Sequence, residues 1–401
     1  MRSFLAVLVG KTARFLLRRV RRGGGSALPG RLAAALDPKL LQRAVGSAKQ
    51  GLVVVSGSAG KSSTTKILVE LLRAHGLRVF TNPSTANIRQ GLYAAILQFC
   101  DYRGRIDADI VVLEWDEGHG AALASDLPPR LCVLTNVYSD QLDRFVDPEL
   151  VVEKLKAIHD HSDLVVMNGD DKNLTQFADK SKVIGFGLGE DVPELQYALN
   201  FGPSVPISTK TKVVSVAPGV VELDTAGTQL QIRTSLDAPH EALNIAAAVT
   251  ALGELVSPDW VKVVQLVESL PPVFARNELA TIRGRSVRLR LVQNPTSFSL
   301  NLKELTGSER PLMLMAGADI HDPSWLWTVD FSALKHVDVV GGRNAHELAL
   351  RLSYQGVSYG SILTEAADAS EAFLELPGDE PTILFSADAM RRTRRYLGLA
   401  K

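Results

Sequence analysis

The chain has 401 residues, 46% hydrophobic and 22% charged, enough to bury more than one core and too apolar for a disordered polymer. Lys plus Arg and Asp plus Glu are both 44, so no net field draws in a polyanion and no nucleic acid is expected as a partner. The two cysteines, Cys100 and Cys132, make neither a disulfide framework nor a CxxC metal site and read as small core residues of a reducing, cytoplasmic compartment.

Residues 1–46 open on MRSFLAVLVGKTARFLLRRVRRGGG. The apolar run at 4–9 is shorter than a secretory core and far short of the roughly 20 residues that span a bilayer. Lys11, Arg14, Arg18, Arg19, Arg21 and Arg22 alternate with Phe15, Leu16, Leu17 and Val20 at helical spacing, which predicts a basic amphipathic helix. Two placements fit such a helix: peripheral contact with the anionic inner face of a membrane, or packing on the body of the protein with its cations in water. Gly23 to Gly25 and SALPG then end it.

From residue 47, apolar runs at 52–55, 78–80, 110–113, 131–135 and 164–167 alternate with helical stretches, the first at about 61–75. Strand and helix in alternation predict an α/β fold with a parallel sheet. Residues 183–236 lose the helical period and read as a β-rich insertion, with strands near 212–216 and 219–223, before a helix at 240–255. Pro271 and Pro272 mark a boundary, so a first α/β domain is expected over 47–268. A smaller Rossmann-like α/β domain then follows over 269–401, with strands at 287–292, 311–316, 336–340 and 381–385.

The first strand runs into GSAGKSSTT, where Gly57 and Gly60 flank Ser58 and Ala59 and a helix opens at Lys61. Glycines let backbone N–H groups approach an anion and the helix dipole adds positive potential. Lys61 can reach terminal phosphates and the Ser62 hydroxyl can ligate Mg²⁺. The spacing G-x-x-G-K-S is two residues shorter than the common phosphate loop, and the competing reading is a strand-to-helix turn rich in small residues. Three polar clusters also stand just beyond strands, where α/β proteins bind ligands: Glu114 with Asp116 and Glu117; Asn136, Asp140 and Asp143; and Asn168, Asp170 and Asp171. Taken singly each is a solvated loop charge; as a set they suit a metal–nucleotide site, with Glu114 the candidate Mg²⁺ ligand.

The segments GSAGKSSTT, LEWDEG, VLTNVYSDQLDRF, VMNGDD and HEALNIAAAV resemble the central P-loop ATPase domain of Mur ligases. PPVFARNE, LVQNPTSF, DPSWLWTVDF and GGRNAHELALRLSYQGV, with the amino-terminal GGGSALPG, resemble the MurT type, the synthetase subunit of lipid II isoglutaminyl synthase. The resemblance implies a ligase that uses ATP and Mg²⁺ to activate the α-carboxyl of D-glutamate in the lipid II stem peptide as an acyl phosphate. Ammonia from a GatD-type glutamine amidotransferase, its partner in a heterodimer, then gives D-isoglutamine. Carried over by position, Gly57, Ser58, Ala59, Gly60, Lys61 and Ser63 would hold phosphates, Ser62 and Glu114 the metal, Asn244 the neighbourhood of the adenine, and Arg276 phosphates again. Asp319 or Asp322 would complete the partner's Cys-His site. Without the resemblance, Asn244 reads as a helix-surface amide, Arg276 as a structural ion pair, and the two aspartates as caps of the turn before Trp325. The stretch ahead of the phosphate loop is also too short for the UDP-binding domain of soluble-nucleotide members, which fits a lipid-linked substrate.

The sequence departs from the type at several points. Residues 183–236 hold no cysteine, so no zinc is expected. The usual Gly-Thr-Asn-Gly-Lys is Gly57-Ser58-Ala59-Gly60-Lys61, the usual Gly-Ala-Asn is Thr85-Ala86-Asn87, and an Asp-Asn pair is Met315-Ala316. A lysine is Gln293, and a Tyr-Thr pair is Ala387-Asp388. Because these changes gather in the second domain, two alternatives stay open: a ligase of the same fold working on another carboxylate, and an ATP-binding scaffold without turnover.

Overall fold

The computed structural model describes residues 2–20, 28–82, 89–138, 148–270 except 196, 199, 201, 235 and 237, then 278–292, 295–303, 305, 310–320 and 323–399, with the side chains of 18–20, 296, 300 and 303 excepted. The chain divides into two compact units, with the division at Leu270 and Pro271.

The first unit begins with α1 (Arg2–Val20), α2 (Leu28–Leu36) and α3 (Leu40–Val45). There follow β1 (Leu52–Ser56), α4 (Lys61–Ala74), β2 (Val79–Thr81), α5 (Arg89–Phe99), β3 (Ile110–Glu114), α6 (Glu117–Ala124), β4 (Leu131–Leu134), α7 (Pro148–Asp160), β5 (Leu164–Asn168) and α8 (Lys172–Thr175). Four strands, β6 (Val183–Leu188), β7 (Thr209–Ala217), β8 (Val220–Thr225) and β9 (Thr228–Arg233), lead into α9 (Pro239–Leu255) and α10 (Trp260–Ser269). Among the described residues one nine-stranded sheet takes the order β2-β3-β1-β4-β5-β6-β7-β8-β9, parallel as far as β7 and antiparallel beyond it. The stretch 183–236 therefore does not stand apart as an insertion: β6 pairs with β5 and the hairpins extend the same sheet.

Strands β1 and β3 are buried at every position, as central parallel strands with helices on both faces must be. Ala-rich α9 packs against α4, β6 and β7, and its small side chains from Ala246 to Ala248 are fully buried. That close approach, through residues with little side-chain entropy to lose, seats Asn244 beside the start of α4.

The second unit contains β10 (Glu278–Ile282), β11 (Arg285–Leu291), α11 (Pro295–Lys303), β12 (Leu312–Met315), a 3₁₀ turn (Pro323–Thr328), β13 (His336–Gly341), α12 (Ala345–Tyr354), β14 (Ser358–Leu363), α13 (Ala366–Glu375), β15 (Thr382–Phe385) and α14 (Ala387–Tyr396). Its six strands lie in the order β10-β11-β15-β12-β13-β14, parallel apart from the β10–β11 hairpin. Two apolar layers cover it, one around Phe298, Trp325 and Phe331 and one around Phe373 and Phe385. The chain leaves β12 in one direction through β13 and β14 and returns on its other side at β15, which makes a topological switch point between β12 and β15.

Candidate functional site

Four residues turn the chain from β1 into α4. Gly57 has φ +131° and Gly60 φ +83°, and a methyl would stand 2.3 Å from Thr135 Oγ1 at the first and 2.2 Å from Asn244 Oδ1 at the second. Both positions therefore require glycine. Gly60 is the N-cap residue of α4, so no side-chain cap covers the first-turn N–H groups, and these together with the dipole suit an anion.

The turn is braced from the end of β4. Asn136 Oδ1 accepts from Ala59 N at 2.8 Å, Asn136 Nδ2 donates to Ala59 O at 3.1 Å, and Thr135 Oγ1 donates to the same oxygen at 2.7 Å. Ser58 N donates to Asn136 O at 2.9 Å, and Tyr138 N donates to Ser58 Oγ at 3.1 Å. The third sequence cluster serves this brace. Asn168 Nδ2 donates to Thr135 O at 3.0 Å, and Asp171 accepts from Val137 N at 2.6 Å and from Asn173 N at 2.9 Å. Burial pushes the Asp171 carboxyl up to about 6 against the pull of those N–H groups. Asp170 accepts from Leu188 N at 2.7 Å and is also raised by burial. The expectation that Asp170 and Asp171 belong to the ligand cluster gives way to a supporting role, because their oxygens are turned to backbone donors.

Within the turn, Lys61 Nζ donates to Glu117 Oε1 at 2.8 Å, to Ser58 O at 3.3 Å and to Gly57 O. Glu117 lies in the first turn of α6, is 1% exposed, and its other oxygen, Oε2, is buried without a hydrogen-bond partner among the described residues. Beside this pair, Ser62 Oγ donates to Glu114 Oε2 at 2.7 Å. Asn82 holds the strand end in register: its Oδ1 accepts from Glu114 N at 3.0 Å and its Nδ2 donates to Glu114 O at 3.2 Å. A hydroxyl and a carboxylate in contact are the hard oxygen donors Mg²⁺ prefers. Among the described residues no three His, Cys, Asp or Glu side chains gather for a metal, so phosphate oxygens and water would fill the remaining positions.

The structure thus brings together Gly57, Ser58, Ala59, Gly60, Lys61, Ser62, Glu114 and Asn244 in the first unit, with Ser63 on the first turn of α4. Asn244 Oδ1 accepts from Thr64 Oγ1 at 3.3 Å, which places it against the loop. Arg276, Asp322, Asp140, Asp143, Gln293 and residues 85–87 lie outside the described residues. The sequence placed Glu117 in the acidic cluster beyond β3 but not opposite Lys61, and Thr135 was not singled out.

In the second unit Asp319 follows β12 at the switch point. Ser386 Oγ donates to Asp319 Oδ1 at 2.6 Å and accepts from Gly317 N at 2.8 Å. Asn344 Nδ2 donates to Gly317 O and to Ile320 O, each at 2.9 Å. Asp388, where the type has threonine, accepts from Ala318 N at 3.2 Å. Burial raises this carboxyl, yet the bonds from Arg392 and Ala318 outweigh it and hold it below the ordinary range. Asp319 therefore sits on a loop fixed from the ends of both strands that flank β12, by Ser386 and Asp388 after β15 and by Asn344 after β13.

Two family models match the sequence: the Mur ligase middle domain over residues 55–252 and the MurT ligase C-terminal domain over residues 291–387. The MurT subunit of lipid II isoglutaminyl synthase (glutamine-hydrolyzing) from Streptococcus pneumoniae is 25% identical over 443 residues, spanning 99% of this chain and 97% of its own. Its counterpart from Staphylococcus aureus is 24% identical over 405 residues, 90% of each chain. Among solved structures, the MurF ligase of Thermotoga maritima in complex with ADP matches with a TM-score of 0.67 at 20% identity, over 94% of this chain and 86% of its own. A pseudomurein peptide ligase type C from Methanothermus fervidus gives 0.70 at 15% identity, over 90% and 80%. At those identities the structures speak for the fold, which is the α/β Mur ligase fold expected from the sequence.

Proposed function

The chain belongs to the Mur ligase family, carries a MurT-type carboxyl-terminal domain and is an ATP-dependent carbon–nitrogen ligase, and from that premise we propose that it amidates a lipid-linked muropeptide. The substrate is the α-carboxyl of D-glutamate in the lipid II stem, the product D-isoglutamine, and the ammonia comes from a GatD-type glutaminase bound as partner. The observation that carries the reading is the Ser62–Glu114 contact beside Lys61 on a glycine-turned helix start.

The chemistry follows from the poor electrophilicity of a carboxylate. Phosphorylation by ATP gives an acyl phosphate, ammonia attacks its carbonyl carbon, and phosphate leaves with the bonding pair and takes up the proton that nitrogen loses. Lys61 exchanges Glu117 and the Gly57 and Ser58 carbonyls for phosphate oxygens, while the first-turn amides of α4 stabilise charge on the transferring group. Ser62 and Glu114 would hold Mg²⁺, which supplies charge neutralisation at the phosphates when bound. Arg276 would add positive charge there, and Asn244 would keep the loop closed on the nucleotide. With two cysteines in the sequence a four-cysteine zinc site lacks half its ligands and cannot form. In the second unit Asp319, or Asp322, would face the glutaminase. Among the described residues no helix is long and apolar enough to cross a membrane, and the lipid anchor of the substrate would bring the protein to the inner membrane face as a peripheral protein.

The test combines the chain with a class I glutaminase, glutamine, ATP, Mg²⁺ and lipid II, and reads carboxamide by mass and phosphate release in parallel. Amidation in step with phosphate release is the expected result. Phosphate release that needs a free amine and another carboxylate would favour the ligase reading that Ala387-Asp388 and Met315-Ala316 leave open. Tight ATP binding without turnover under any acceptor would make the chain a scaffold.

A further inference from the structure

Helix α1 packs on the first unit through its small residues. Ala6, Val7 and Gly10 are buried, and a methyl on Gly10 would meet Leu97 Cδ1 of α5 at 2.6 Å. Lys11 Nζ donates to Cys100 O at 2.7 Å and fixes the rotation of the helix. The face left outward is apolar: Phe4, Leu5, Leu8 and Leu16 of α1, with Leu32 and Leu36 of α2, are 37% to 55% exposed. A helix lying on a water-soluble body presents the reverse pattern, with its polar face outward. The sequence around this row carries eight Lys and Arg before its first acid, Asp37, in a chain whose total charge is zero.

We propose that α1 and α2 form a platform that seats on an anionic lipid bilayer, the apolar row entering the acyl boundary and the cations meeting headgroups. Charge selects this occupant over a second copy of the chain, since two such platforms would bring like charges together with no acid to pair them. The row from Phe4 to Leu16 covers about 18 Å of helix, enough for interfacial seating, and no described helix spans the membrane. The purpose of the platform rests on the lipid-linked substrate proposed above, but its test does not.

The full chain would be floated with vesicles of phosphatidylglycerol in phosphatidylcholine and with phosphatidylcholine alone, without lipid II, and its ATP affinity measured on the same sample. Flotation with the anionic vesicles, weakened by salt, is expected. Leu5→Glu/Leu8→Glu should lose at least about tenfold in vesicle affinity with ATP affinity unchanged, and Arg2→Gln/Arg31→Gln should lose several-fold and flatten the salt dependence. Absence of flotation, equal flotation of the leucine variant, or a wild-type dimer that the leucine variant dissolves would overturn the platform. Intact ATP affinity beside failed flotation would leave the ligase reading standing.

Discussion

Replacing Gly60 by alanine puts two separable costs on the phosphate loop. The residue sits at φ +83°, where an L side chain costs about 1–2 kcal/mol. The new methyl would also stand 2.2 Å from Asn244 Oδ1 and 3.1 Å from its Cγ, so the buried amide must leave its place and give up the bond from Thr64, worth about 0.5–1.5 kcal/mol. The total is about 1.5–3.5 kcal/mol. Gly76 isolates the first cost, because it has φ +86° with nothing within 4 Å of an added methyl. Urea denaturation should place Gly76→Ala near the backbone cost alone and Gly60→Ala beyond it. Adding Asn244→Ala to Gly60→Ala should recover the steric part as a coupling of about 1 kcal/mol or more. Fluorescent-nucleotide titration should show Gly60→Ala binding ATP about ten- to a hundredfold more weakly, the cost of restoring the turn at about 1.4 kcal/mol per tenfold. If Gly60→Ala unfolds no more easily than Gly76→Ala and binds nucleotide like the wild type, the description of the loop as pressed against Asn244 is wrong.

Further consequences can be measured on the same protein. Ser62→Ala and Glu114→Gln each remove one of two touching oxygen donors, so the Mg²⁺ concentration for half-maximal ATP turnover should rise about tenfold or more. Asp171 titrates at about 6 in the fold against 3.8 for the free group, so the folded chain holds a proton that the unfolded chain releases between those values. Stability from this carboxyl is therefore greatest below about pH 4, falls as pH rises to about 6, and is flat above, a change of about 3 kcal/mol at about 1.4 kcal/mol per pH unit. Comparing thermal unfolding of wild type and Asp171→Asn across that window should show the variant without this downward component. In the second unit Ser386→Ala leaves Gly317 N and Asp319 Oδ1 without their shared partner, which should cost about 1–3 kcal/mol by urea denaturation and weaken coupling to a glutaminase more than ATP binding.

The parts of the site that were legible in the sequence are those written in neighbouring residues. A β-branched run, two glycines and Lys61-Ser62 fall within one strand-to-helix turn, and Glu114 closes the strand beside it. The pairing of Glu117 with Lys61 escaped because it spans 56 positions and depends on β3 lying next to β1, a register composition does not reveal. The brace from Thr135 and Asn136 is hidden in the same way, since it needs β4 on the other flank of β1. Asp170 and Asp171 sit beyond a strand just as Glu114 does, and only their backbone donors distinguish support from site. Strands over 183–236 could be read from alternation, but their continuation of the main sheet is a matter of pairing partners. Helix α1 was readable as basic and amphipathic, while the choice of buried face turned on small residues fitting against Leu97.

The proposed reaction requires Lys61 and the amides after Gly60 to hold the phosphates of ATP. Calorimetric titration of ATP into the purified full chain, with Mg²⁺ and then with chelator, for wild type and Lys61→Ala, addresses that directly. Magnesium-dependent binding that Lys61→Ala weakens at least about a hundredfold is the predicted result, the variant still folded but unfolding more easily because buried Glu117 loses its ion-pair partner. Equal binding by the variant, or no magnesium-dependent heat from the wild type, would contradict it.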